Sequence, residues 1–496
     1  MSDPSVPSLP TPDSPPPSAF ATARKLTVLS LLGFASGLPL LLTGTGRALQ
    51  AWLKTTGVSP TIIGLFGLAA LPYSLKIFWA PFFDRYAPPI LGRRRSWLIL
   101  MQVLLILGIL LLGNQDPTPL VQFTTSSNIA CDLGALQGLC NVWQGVINFW
   151  QALSLMSSSS LFRVALLVAF LSASQDIAAD AYRTDVLRPS EMGNGAAIFV
   201  TGYRIALVIA GGFALAIADP NNPNHWSWQQ VYQGIAGLMS IGLFGTLLAP
   251  EPKQLAAPVT LQAAVIQPFQ EFFQRLGWRQ GLAALGFIVL YRYGDALLNI
   301  MAVPFLLDAK FSQTDVGNIQ GLWGIVATIL GTLMGGAIFS WIGVNRSLWV
   351  FGILQAASNL AYWLLASLGK SGLLLGILAF TGKSFEWSQV DASLFATIMV
   401  ENFCTGLGTA GFLGFMMTLC NPQFSATQFA LLSSLMAVSR DILASPAGQW
   451  KESLGWSSFF LMTIVAALPG LLLLPIFAPW NGRRMPVPPR GNGEVG

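Results

Sequence analysis

Ionisable residues are few in this 496-residue chain, and their spacing is what could do chemistry. Asp84-Arg85-Tyr86 is followed, after five residues, by Gly92-Arg93-Arg94-Arg95. A carboxylate at a helix end can pair with arginines and with the ends of neighbouring helices, which makes a latch. Asp84, Arg85, Arg93, Arg94 and Arg95 are therefore the candidate gate. Asp176, Asp180 and Arg183 recur at i, i+4 and i+7 and share one helix face. Lys76 lies two turns before Asp84, within reach of it or of Asp176. Arg292 and Asp295 are three apart and could pair on one face. Glu401, Arg204 and Arg440-Asp441 complete the set. A carboxylate buried among arginines can gain and lose a proton, because burial disfavours its charge and a guanidinium favours it. Glu401, Asp295 and Asp176 are thus candidate proton carriers. Arg204, Arg292 and Arg440 suit an anion that bears carboxylates. The plainer alternative for each is a structural ion pair, or a side chain that snorkels to the surface.

These residues sit in an apolar chain. Hydrophobic residues make up 53% and charged residues 9%, against roughly 25% charged in a soluble domain. Mean hydropathy is +0.61. Charge that sparse excludes a soluble enzyme and a disordered hub. It also excludes a nucleic-acid binder: the net charge is only +5, and no basic block interleaves with aromatics. A bilayer-crossing helix needs about 20 mostly apolar residues. Such segments fall near 26–50, 60–83, 97–113, 161–187, 194–218, 229–249, 281–307, 316–342, 347–367, 392–418, 426–448 and 457–479. At ~1.5 Å per residue, Glu401 and Arg204 lie near the midplane of their segments. A charge at such depth costs about 2.5–3.5 kcal/mol on insertion scales and marks function by default.

The elements that must position these residues follow from the same pattern. Residues 1–25 are proline-rich and read as a disordered cytosolic tail. Residues 26–249 form a first six-helix half with an outer insertion at 114–160. Residues 250–280 form a cytosolic linker with an amphipathic stretch from Leu261 to Leu276, suited to the membrane interface. Residues 281–479 form the second half, and 480–496 a cytosolic tail. With the N-terminus in the cytosol, most of the 26 basic residues face inward, and only Lys54, Lys310, Lys370, Lys383 and Lys451 face outward. This bias sets both termini in the cytosol. The fold class is an all-α membrane protein with twelve transmembrane helices in two halves. That layout resembles the major facilitator superfamily, and the 84–95 loop resembles the superfamily's G-x-L-x-D-R-x-G-R-R-R signature with extra residues. The matching loop of the second half, Trp341-Ile342-Gly343-Val344-Asn345-Arg346, lacks the acid.

Several motifs do not carry chemistry. Gly406-Leu407-Gly408-Thr409-Ala410-Gly411 matches G-x-G-x-x-G but has no preceding strand, so it reads as close helix packing. Gly382-Lys383-Ser384 lacks the first glycine of a P-loop, because Ile377 stands there. The lone His225 supports neither a metal cluster nor a catalytic triad. No enzyme activity, metal or cofactor is expected. Cys404 and Cys420 read as packing residues. Cys131 and Cys140 lie in the outer loop, where oxidation is permitted, and are a disulfide candidate.

Further stretches carry a resemblance to a specific family. They are Leu32-Gly33-Phe34-Ala35-Ser36-Gly37-Leu38-Pro39-Leu40, Ser172-Ala173-Ser174-Gln175-Asp176-Ile177, Thr184-Asp185-Val186-Leu187, Gly202-Tyr203-Arg204, Gly294-Asp295-Ala296, Phe351-Gly352-Ile353-Leu354-Gln355 and Ser425-Ala426-Thr427-Gln428. The chain resembles the AmpG muropeptide permeases over nearly all of its spans. The resemblance implies a bacterial inner-membrane permease that imports N-acetylglucosaminyl-anhydromuramyl peptides with protons, acting as a monomer surrounded by lipid. It implies that Gln355 and Asn359 bind substrate and that Tyr203 and Tyr291 stack on sugar faces. The outer segments 114–160 and 369–391 are longer than the family pattern. Acetyl-coenzyme A is the alternative substrate, and a non-transporting receptor is the alternative class.

Overall fold

The computed structural model describes residues 19–43, 46–58, 60–88, 91–121, 159–219, 223–252, 260–311, 316, 319–381, 392–438, 443–444 and 447–481. The insertion at 114–160, with Cys131 and Cys140, falls mostly outside the described residues, and Arg440 and Asp441 fall outside them too. Among the described residues every regular element is helical. The composition requires this, since backbone groups in lipid must pair within their own segment.

The first half holds α1 (Ala19–Gly37), the interrupted run α2 (Pro60–Arg85), α3 (Arg93–Gly113), α4 (Ser160–Val186), α5 (Met192–Ala218) and α6 (Trp228–Leu248). The linker contains α7 (Leu261–Leu276). The second half holds α8 (Trp278–Asp308), α9 (Ile319–Ile342), α10 (Val344–Gly369), α11 (Ala392–Leu419), α12 (Ser425–Val438) and α13 (Leu454–Phe477). Local signals start several of them. Ser159 caps α4, Thr260 caps α7, and Ser227 forms a reciprocal capping box with Gln230 on α6. Gly277, at φ +74°, ends α7 and turns the chain directly into α8.

Nine helices among the described residues are long and apolar enough to cross a membrane. The other three expected spans differ for identifiable reasons. The run 60–85 alternates α and 3-10 pieces, and Pro72 and Pro81 each open an α piece, where a missing N–H does least harm. α11 has the length, but Glu401, Asn402, Thr405 and Thr409 dilute its apolar character. α12 is described for only 14 residues. α8 is broken at Tyr291–Arg292, between Trp278–Leu290 and Tyr293–Asp308. Two π segments interrupt α5 at Val208–Phe213 and α9 at Ile319–Trp323. A Cβ on Gly406 would sit 2.3 Å from the Thr328 carbonyl, so the glycine-rich stretch of α11 is a tight crossing with α9.

The buried apolar residues fall into two cores. One runs through the first half and continues into Phe287, Phe339, Phe351, Phe412, Phe415, Phe429 and Phe477 of the second. The other, with Leu297, Phe305, Tyr362, Ile398 and Phe460, belongs to the second half alone. The two halves therefore share one core at the end that carries Arg93–Arg95. At the opposite end the second half packs on itself.

Candidate functional site

Asp84 closes α2 and is fully buried. Its Oδ1 accepts from Arg94 Nη2 at 2.9 Å and from the Ala426 N–H at 3.2 Å. Its Oδ2 accepts from the Thr427 N–H and hydroxyl, both at 2.8 Å. A carboxylate from the first half thus caps the N-terminus of α12 in the second, where the helix dipole favours negative charge. Arg94 holds the rest of the node. Its Nε donates to Asp185 Oδ2 at 2.7 Å, its Nη1 to the Phe83 carbonyl at 3.0 Å, and its Nη2 also to Ser425 Oγ at 2.7 Å. Removing one partner from so buried a pair leaves an uncompensated charge, which costs about 3–5 kcal/mol.

The three arginines diverge because successive residues of a helix point about 100° apart. Arg93 donates to the Asp84 carbonyl at 3.2 Å. Arg95 turns away to the Thr246 and Leu247 carbonyls at the end of α6. Arg85 lies over the Tyr86 ring, 5.4 Å from its centroid. Of the five expected gate residues, Asp84, Arg93 and Arg94 meet, while Arg85 and Arg95 do not join them. Glu251 caps α3 by accepting from the Arg94 and Arg95 N–H groups. Asp185, Ser425 and Thr427 complete the node, and no role for them follows from sequence alone. Each stands in a stretch that carried the family resemblance, but pairing across 331 residues leaves no local signal.

Two more contacts join the halves at this end. Arg183 donates to Asp180 at 2.8 Å and lies between the rings of Phe199 and Phe429, 4.6 and 4.8 Å from their centroids. Lys76 pairs with Asp180 at 3.5 Å, not with Asp84, because α2 and α4 pack side by side and Asp84 is taken by Arg94 and α12. Alongside, Gly336 of α9 meets α5: a Cβ there would come within 2.6 Å of Ala197 Cβ and 2.8 Å of the Gly193 carbonyl.

A second group lies deeper. Arg292 occupies the break in α8. Its Nη1 donates to Thr409 Oγ1 at 2.9 Å, and its Nε is 3.6 Å from Asp295 Oδ2. Glu401 Oε1 accepts from Thr405 Oγ1 at 2.9 Å, and that hydroxyl accepts from Gln355 Nε2 at 3.0 Å. Arg204, half-buried in α5, is close enough to Arg292 and Glu401 to interact electrostatically with both. Its Nε has no hydrogen-bond partner among the described residues, and neither do Asp295 Oδ2 and Gln355 Oε1. A cavity of about 350 Å³ opens beside them, lined by Arg292, Asp295, Asn299, Ile300 and Met436. A guanidinium and a carboxylate that line a cavity, with Glu401 and Arg204 near them, can receive a polar anion and exchange a proton.

Some expected members of this group lie elsewhere. Asp176 is set beside Lys76, Asp180 and Arg183, apart from Glu401 and Asp295. Tyr291 is buried, donates to the Leu348 carbonyl at 2.9 Å, and stacks on Phe412 with centroids 5.5 Å apart. No face of its ring is free for a sugar in this conformation, because α8 and α11 pack across it. Asn359 is also buried and donates to Thr463 of α13 at 3.3 Å. Tyr203 is half-buried next to Arg204. Cys404 and Cys420 are buried free thiols.

Comparison with known proteins agrees with this architecture. Over 92% of its length the chain matches the solved proton:xylose symporter XylE bound to 6-bromo-6-deoxy-D-glucose, covering 96% of that chain at a TM-score of 0.59 and 12% identity. It also matches the human organic anion transporter MFSD10, covering 92% of this chain and 98% of that one at a TM-score of 0.56 and 14% identity. The fold is that of a major facilitator superfamily transporter. A family model described as acetyl-coenzyme A transporter 1 matches residues 25–245. The anhydromuropeptide permease of Escherichia coli K12 is 39% identical over 450 residues, spanning 90% of this chain and 78% of that protein. An uncharacterized Haemophilus influenzae protein is 35% identical, spanning 92% and 95%. The chain belongs to the anhydromuropeptide permease family, whose members are transporters and not enzymes.

Proposed function

We propose that the chain imports anhydromuropeptides across the bacterial inner membrane, driven by the proton gradient, with both termini in the cytosol. The observation that carries this reading is the charge group of Arg204, Arg292, Asp295 and Glu401, of which Arg292 and Asp295 line the cavity. A muropeptide offers carboxylates to the two guanidiniums and amides and hydroxyls to Gln355 and Thr405. Glu401 is the principal proton carrier and Asp295 the residue that trades Arg292 with the substrate. When a substrate carboxylate takes Arg292, Asp295 loses its counter-ion and is driven to bind a proton. Proton and substrate then move together.

The gate supplies alternating access. With Asp84 capping α12 and both halves in one core, the cytosolic end is shut. Opening it separates Asp84 from Ala426 and Thr427, and Arg183 from Phe429. The protein works as a monomer with no cofactor beyond the coupling proton, and binds no nucleic acid.

The match of residues 25–245 to the acetyl-coenzyme A transporter model favours a second reading, in which a coenzyme A thioester is the anion. Competition in proteoliposomes separates the two. Unlabelled anhydromuropeptide is expected to displace labelled anhydromuropeptide, and acetyl-coenzyme A is not. Inhibition by acetyl-coenzyme A alone overturns the proposed substrate.

A further inference from the structure

The linker helix α7 presents three faces. At roughly 100° per residue, Ala264, Pro268, Phe272 and Leu276 fall on one side and are buried against the bundle. Gln267, Gln270 and Gln274 fall on another and face outward. Between them runs a third strip of Val265, Ile266, Phe269 and Phe273. Val265 is 45% exposed, Ile266 42% and Phe269 37%. An apolar strip between a docked face and a polar face is the pattern of a helix lying in an interface.

The strip continues into the lipid-facing surface. Phe273 contacts Trp278, with centroids 4.6 Å apart. Trp278 is 65% exposed and opens α8 one residue after α7 ends. Tryptophan at the start of a span marks the headgroup level, so the strip runs at that level along the bilayer.

The docked side of α7 reaches the gate. Gln428 Nε2 donates to the Pro268 carbonyl at 2.9 Å and to Glu271 Oε2 at 2.8 Å. Arg275 donates to Glu271 Oε1 and to the Leu419 carbonyl, both at 2.6 Å. Gln428 directly follows the Ala426 and Thr427 N–H groups that Asp84 holds. One helix therefore grips the end of α11 and the first turn of α12, and it packs on the 80–85 segment that carries Asp84.

We propose that α7 is seated on the lipid surface by its Val265–Ile266–Phe269–Phe273 strip and that, so seated, it braces the closed gate through Gln428 and Leu419. The brace rests on reading the Asp84 contacts as a gate; the seating does not. Lipid then acts as a partner that biases the transporter toward the state closed at this end.

The test uses the full chain in lipid nanodiscs, in a cysteine-replaced background that retains uptake. A spin label placed through Phe269→Cys is expected to be relaxed more by oxygen than by a water-soluble nickel chelate. A label placed through Gln267→Cys is expected to show the reverse. Equal access of the chelate to both positions overturns the seating. The brace is read by alkylation of a cysteine introduced at Ser340, which lines the seam between the halves beside the gate. Phe269→Glu and Gln428→Ala are each expected to speed alkylation about fivefold, the effect of losing one hydrogen bond's worth of bias, while Phe269→Leu leaves it unchanged. Unchanged rates in both variants overturn the brace. Asp84→Asn serves as the reference: if it leaves alkylation unchanged, the gate reading fails and the seating result still stands.

Discussion

Arg94 does what neither adjacent arginine does, because its fork reaches two carboxylates, a hydroxyl and a carbonyl in a place closed to water. Lysine, a point charge with no fork, cannot hold Asp84 and Asp185 together. Arg94→Lys is expected to lower initial uptake at least about tenfold, consistent with losing half or less of a buried pair's coupling. Arg85→Lys is expected to leave uptake unchanged, since among the described residues Arg85 lies over the Tyr86 ring and outside the Asp84–Arg94 node. Initial rates in membrane vesicles at matched expression check both. Glu401→Gln keeps the hydrogen bond from Thr405 but cannot take a proton. It is expected to retain substrate exchange across a membrane without a gradient and to lose gradient-driven accumulation; loss of both, or of neither, contradicts its role as carrier. The residue types at these sites were legible in the sequence, because a charge within an apolar run stands out. Their directions were not. Arg93, Arg94 and Arg95 are identical in type and adjacent, and only the phase of α3 aims one of them at the Asp84 carboxylate. The family resemblance implied that Tyr291 stacks on a sugar, yet the break in α8 turns it into the packing between helices.

At the scale of elements, apolar length announced the helices, but the interruptions of α2 at Pro72 and Pro81 were not expected from it. The alternation of α and 3-10 turns between Pro60 and Arg85 was not legible, since those forms differ by one residue in hydrogen-bond register. Nor was the cap on α12: the carboxylate that satisfies it comes from the other half of the chain, and no window around Ser425 contains it. The amphipathic pattern of 261–276 was legible, while the docked side of that helix was not. The crossing of α5 with α9 gives a prediction at this scale. Gly336→Leu places atoms where Ala197 and the Gly193 carbonyl now sit. Overpacking of this kind typically costs about 1–3 kcal/mol. Here it acts on the closed state alone and wedges the seam open. Faster alkylation of the cysteine introduced at Ser340, with reduced uptake, is the expected outcome; an unchanged rate contradicts a seam that closes on glycine.

For the whole molecule, sparse charge and the inward bias of basic residues already implied a polytopic membrane protein, and the two cores add its state. Among the described residues the halves share a core at the arginine end, while the second half has a core of its own at the other. Sequence could not reveal that asymmetry, because both ends are built from the same aromatic and aliphatic residues. An importer in this state faces its substrate and waits for a proton. The most direct test is accumulation of labelled anhydromuropeptide in proteoliposomes of the purified full chain. With an inside-alkaline pH gradient, uptake above the equilibrium level is expected, and its collapse to that level when a protonophore is added. Accumulation that is indifferent to the protonophore contradicts proton-coupled import by this chain.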